Sequence, residues 1–96
     1  MLLCKVVGSL VSTQKDPKLR GTKLLVTKEV ELDGRVRETY HIAVDSVGAG
    51  EGELVVIVRG SSARMAENTK GMPIDSAIVA IVDSIEVDGE VIFRKS

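Results

Sequence analysis

The chain is 96 residues long, carries 13 Lys and Arg against 14 Asp and Glu, and is 44% hydrophobic with 2% aromatic residues. That length holds one domain, spanning 1–96; the charge balance leaves no positive surplus to displace counterions from nucleic acid, and Tyr40 and Phe93 alone give bases no stacking platform. The longest apolar run, Ala77 to Val82, is far too short to span a bilayer, and Cys4, the single cysteine, excludes an internal disulfide and points to a reducing, cytoplasmic setting.

The dominant period is two, which predicts strands. In the first segment Leu2, Cys4, Val6 and Leu10 share a face, with Lys5, Ser9 and Thr13 on the other. Gly8 interrupts the alternation where a bulge or barrel bend fits, because a missing Cβ relieves crowding at tight sheet curvature. Residues 14–18 read as an exposed loop. From Lys23 to Leu32 the alternation returns, placing Leu24, Val26, Val30 and Leu32 opposite Thr27, Glu29 and Glu31. Asp33-Gly34 then signals a hairpin, since a type I′ turn needs positive φ at both central residues. Val36, Tyr40, Ile42 and Val44 form the apolar face of the return strand, opposite Arg37, Thr39, His41 and Asp45.

A glycine-dense loop, Gly48-Ala49-Gly50-Glu51-Gly52, leads into Glu53 to Arg59, a strand buried on both faces. Ser61 to Glu67 is the one expected helix, about two turns long, opened by a serine able to cap free N–H groups. Ala77 to Ile85, rich in β-branched residues, reads as one strand, and Asp88-Gly89 as a second hairpin turn into Val91-Ile92-Phe93. Short strands, tight turns and one short helix predict an all-β fold, a small five-stranded OB-like antiparallel barrel.

Few residues invite chemistry. His41 has no companion ligands at metal-binding spacing and belongs on a polar strand face, while Cys4 reads as a small core residue. Gly48-x-Gly50-x-Gly52 differs from a phosphate loop because it feeds a strand rather than a helix N-terminus, and Glu51 and Glu53 would repel an anion. Gly60-Ser61-Ser62-Ala63-Arg64 places hydroxyls and a guanidinium at a helix start, either to hold an anion or to cap the helix. Asp83 closes an apolar run and should be hydrogen-bonded. No catalytic, metal or cofactor-binding residue is expected.

Several blocks in order resemble one family. Lys5-Val6-Val7-Gly8, Ser12-Thr13-Gln14-Lys15, residues 21–26, Gly48 to Glu53, Gly60 to Arg64, Pro73-Ile74-Asp75 and Ile81-Val82-Asp83 resemble the EutN/CcmL family of bacterial microcompartment vertex proteins. The resemblance implies an OB-like barrel that assembles as a cyclic homopentamer, without cofactor or enzymatic activity. Such a pentamer caps the vertices of a cytoplasmic polyhedral shell tiled by hexameric shell proteins. It also implies two contact sets. Gly48, Ala49, Gly50, Glu51, Gly52, Glu53, Val82 and Asp83 are assigned to contact with neighbouring hexamers. Gly60, Ser61, Ser62, Ala63 and Arg64 are assigned to the subunit interface or fivefold pore. The segment 89–95 is more similar to members from catabolic microcompartments (metabolosomes) than to carboxysome vertex proteins. Beside the carboxysome reading stands an OB-type module binding oligonucleotides or oligosaccharides, which the charge balance and missing aromatics disfavour.

Overall fold

Among the described residues seven strands follow from the period-two segments: β1 (Leu2–Leu10), β2 (Lys23–Val30), β3 (Val36–Asp45), β4 (Leu54–Arg59), β5 (Ser76–Ile81), β6 (Ser84–Val87) and β7 (Glu90–Arg94). They belong to a computed structural model that describes residues 1–13, 16–19, 21–60, 63 and 75–95. The expected helix over Ser61 to Glu67 lies outside the described residues except for Ala63, which is buried. A 3-10 turn, Pro17–Leu19, occupies part of the expected loop.

The first five strands close a barrel in the order β1-β2-β3-β5-β4, as the sequence predicts for an OB-like fold. Every neighbouring pair is antiparallel except β3 and β5, which run parallel through Val44↔Ala77 and Asp45↔Ile78. Alternating directions cannot close a ring of odd number. One parallel seam is therefore a necessity of five strands, and it corrects the wholly antiparallel expectation. Gly8 does mark a bend: the β1–β2 register shifts between Val6 and Gly8.

The two Asp-Gly turns differ. Asp88 and Gly89 both have positive φ, 52° and 80°, as a type I′ turn requires. At Asp33-Gly34 only Gly34 is left-handed, with φ 90°. There the Gly34 N–H donates to the Glu31 carbonyl and the Glu31 N–H to the Arg35 carbonyl, which makes a three-residue hairpin loop instead.

Strand faces depart from the simple alternation in two places. In β2 the inward residues are Leu25 and Thr27, not Leu24 and Val26, and Val30 regains the core through a register irregularity between Lys28 and Val30. Thr27 is fully buried because its hydroxyl donates to the His41 carbonyl at 2.8 Å, so no polar group is left unpaired. In β3 the apolar face expected inside is largely outside: Tyr40 and Ile42 are 57% and 49% exposed, and only Ala43 and Val44 are buried. This strand outruns the barrel, since β5 first meets it at Val44.

The predicted strand Ala77 to Ile85 is broken at Val82-Asp83. Val82 donates its N–H to the Leu54 carbonyl, closing the edge of the barrel, and the Asp83 carbonyl accepts the Lys95 N–H, opening the separate β6–β7 hairpin. The core itself is aliphatic. Cys4, Val6, Leu25, Ala43, Ala49, Val55, Ile57 and Ile78 form one buried cluster, with Leu2 and Ile81 packed against it. Each larger aliphatic side chain buried this way contributes about 1.5–3 kcal/mol.

Beyond the barrel the chain is long, with extents of 45 × 23 × 22 Å. It exposes 6183 Å², where a compact protein of this mass exposes about 5,400 Å². The apolar outer positions of β3 and of the β6–β7 hairpin are exposed in the single chain.

Candidate assembly surface

The loop from Gly48 to Glu53 is held by hydrogen bonds to the barrel mouth and within itself. Asp45 Oδ1 accepts the N–H groups of Val47 and Gly48 at 3.0 and 3.1 Å, so the end of β3 is itself the loop's first anchor. Lys23 Nζ donates to the Ala49 carbonyl at 3.3 Å. The Gly52 N–H then donates to the Val6 carbonyl, and the Val6 N–H to the Glu53 carbonyl, which continues the β1–β4 ladder into the loop. Gly48 and Gly52 sit in left-handed backbone, with φ of 80° and 89°, where a Cβ is strained.

Within this loop the side chains divide sharply. Ala49 is fully buried and belongs to the core cluster. Glu53 turns back on its own loop: Oε1 accepts the Gly50 N–H at 2.7 Å, and Oε2 pairs with Lys95 Nζ at 2.5 Å. Glu51 alone projects its carboxylate outward. Of the six loop residues expected to meet a neighbour, Ala49 and Glu53 therefore hold the loop rather than offer it.

Val82 lies beside this loop, whereas Asp83 is not among the residues lining the cleft between them. A cleft of about 370 Å³ is lined by Glu51, Gly52, Glu53 and Leu54 on one side and by Val82 on the other. Phe93, Arg94 and Lys95 complete it. The C-terminal trio was not identified from sequence, because nothing local announces that β7 returns to a loop forty residues upstream. At Asp83 the hydrogen bond is made by the backbone carbonyl, and the residue is exposed.

The Lys95 ammonium and the Gly50 N–H hold the Glu53 carboxyl below the usual carboxylate range, and Glu53 in turn pushes Lys95 up. A carboxyl depressed in the folded state contributes stability that is fully present above about pH 4.3, its unfolded value. That contribution is lost as pH falls through the folded value. Acidification below about pH 4 is therefore expected to release the Gly50 N–H, read as a titrating Gly50 amide shift in nitrogen-edited NMR spectra. In Lys95→Met that midpoint moves upward; an unmoved midpoint would mean the ion pair does not hold the loop.

The second expected set is only partly described. Gly60, with φ 64°, donates its N–H to the Asp75 carbonyl at 2.7 Å, and buried Ala63 donates its N–H to the Gly60 carbonyl. Ser61, Ser62 and Arg64 lie outside the described residues. His41 is not on the polar outer face expected of it: it pairs with buried Thr27 and shares that inward face, opposite exposed Tyr40 and Ile42. Its Nε2 lies 2.7 Å from Glu29 Oε2, and that bond lowers the Glu29 carboxyl. Cys4 is buried, and desolvation raises its thiol. Among the described residues no three His, Cys, Asp or Glu side chains gather as a metal site.

The architecture is a closed OB-like barrel with a hydrogen-bonded loop at its mouth. The chain belongs to the EutN/CcmL family, described as ethanolamine utilisation protein EutN/carboxysome, whose model matches residues 1–83. It is 48% identical to the carboxysome shell vertex protein CcmL of Nostoc sp. PCC 7120 over 99% of this chain and 95% of that protein. It is 47% identical to the microcompartment shell vertex protein PduN of Salmonella typhimurium over 88% of this chain and 98% of that one. The Nostoc CcmL structure superposes with a TM-score of 0.94, covering 99% of this chain and all of that one. The pentameric microcompartment shell protein GrpN of Rhodospirillum rubrum superposes with a TM-score of 0.80 at 44% identity, covering 91% and 98%.

Proposed function

We propose that this protein is a non-enzymatic structural component, the homopentameric vertex of a bacterial microcompartment shell in the cytoplasm. The observation that carries the reading is the match to shell vertex proteins over nearly the whole length of both partners, barrel and C-terminal hairpin included. The physical logic agrees. A flat hexagonal layer cannot close, so a shell needs fivefold units, and a heterologous interface that closes after five copies supplies them.

The braced loop Gly48–Glu53, with Val82 beside it and Asp83 next along the chain, faces the hexameric tiles in this proposal, and Glu51 makes the charged contact. Gly60 to Arg64 lie toward the fivefold axis or subunit interface. Segment 89–95 favours a catabolic shell. The carboxysome alternative is supported by the CcmL likeness, 48% over 96 residues against 38% over 95 for EutN and 47% over 89 for PduN, both of Salmonella typhimurium.

Native mass spectrometry tests the ring. A species near five times 10.3 kDa that persists on dilution is the expected result, and a stable monomer would overturn it. Glu51→Lys is expected to leave that mass unchanged while shells co-assembled with hexameric tiles fail to close. Unimpaired closure would remove the loop from the contact.

A further inference from the structure

The β2–β3 and β6–β7 hairpins bring their tips together, and the cleft between them, about 460 Å³, belongs to neither set of residues described above. Leu32, Val87 and Ile92 supply its apolar lining and are 54%, 37% and 39% exposed. Val36 and Val91, on the same two arms, are exposed as well. Five large aliphatic side chains left in water on two adjoining hairpins mark an interaction surface rather than scattered surface residues.

Charge selects the partner. Four carboxylates line the cleft, those of Glu31, Asp33, Asp88 and Glu90, against the single guanidinium of Arg35. Asp33 pairs with Arg35 at 3.6 Å and Glu31 with Arg37 at 3.4 Å. Asp88 and Glu90 have no ion partner among the described residues, so the rim keeps a negative excess over an apolar floor. Backbone groups are available too. β3 is paired with β2 along its length, but its other edge meets β5 only from Val44 onward, so between Val36 and Ile42 that edge lacks a partner among the described strands.

We propose that this cleft docks an extended segment of a partner protein in which apolar and basic residues alternate. Such a segment would set its apolar side chains on Leu32, Val87 and Ile92 and present its ammonium groups to Asp88 and Glu90. Acidic peptides and nucleic acid are repelled by the same rim. The proposal stands apart from the vertex reading, and its test uses no shell.

The probe is a fluorescent octapeptide alternating valine and lysine, titrated into the intact protein and read by anisotropy, with a valine–glutamate counterpart as control. Saturable binding of the basic peptide alone is expected, weakened about tenfold or more in Asp88→Asn with Glu90→Gln and in Ile92→Ser. Glu51→Gln, which removes a carboxylate from the other cleft, should bind like the parent. Equal binding by the parent and the Asp88/Glu90 variant, or no binding at all, would overturn the proposal. So would a change in native mass in Ile92→Ser, which would make the cleft a contact between copies of this chain.

Discussion

Ile57→Ala is expected to destabilise the protein more than any other single substitution discussed, by about 3–4 kcal/mol. Ile57 has no exposed surface and lies on β4, the strand that pairs with both β1 and β5 and so closes the barrel on two sides. Around it stand Cys4, Val55 and Ile78, none of them large enough to collapse into the space left behind. With an intrinsic stability of about 5–15 kcal/mol for a domain of this kind, much of the margin disappears. Melting is expected roughly 12–25 °C lower. Because assembly draws only on folded chains, the loss should also appear as dissociation of the proposed ring on dilution. Ile57→Val, which removes one methyl, costs about 1 kcal/mol. Equal melting of the alanine and valine variants would show that the barrel interior is not close-packed at β4.

Ala49→Leu carries the second large effect, and it joins the core to the proposed contact. Ala49 is at once a member of the buried cluster and the centre of the glycine-rich loop. A leucine there must overpack the barrel mouth, at about 1–3 kcal/mol, or lift the loop out of it. Lifting breaks the Lys23 Nζ bond to the Ala49 carbonyl and draws Gly50 from Glu53. The expected result is a lower melting temperature together with a shifted Gly50 amide resonance. An altered melt with an unmoved Gly50 resonance would show that the core gives way and the loop does not depend on it.

These two positions also show what could be read from the chain. The barrel class, the bend at Gly8, the Asp88-Gly89 turn and the largely buried β4, whose Val56 and Val58 are only partly covered, were legible because each depends on local backbone preference or short-range alternation. The inner face of β2 was not, because Thr27 looks polar until the His41 carbonyl is brought opposite it by strand pairing. Nor was the outward face of β3: Tyr40 and Ile42 alternate like core residues, and only the late arrival of β5 leaves them uncovered. At the loop, the glycines announced a tightly bent chain, while Ala49 as a core residue and Lys95 as the partner of Glu53 depend on contacts distant in sequence. The break at Val82-Asp83 is of the same kind, made by the Leu54 carbonyl on another strand.

The parallel seam has a consequence for how the barrel forms and opens. β1, β2 and β3 can assemble as a meander through near-neighbour pairings, whereas β3 meets β5 at only two positions, joining residues far apart along the chain. Loop-closure entropy is met before those two pairs repay it, so the seam belongs to the late steps of folding. Run backward, it is the clasp at which the cylinder first parts. Anchors of the Gly48–Glu53 loop sit at that clasp, since Asp45 both pairs with Ile78 across it and holds the N–H groups of Val47 and Gly48. Parting of the seam would therefore loosen Asp45 and the loop's first anchors together, and a neighbour that gripped the loop from outside would also hold the seam closed.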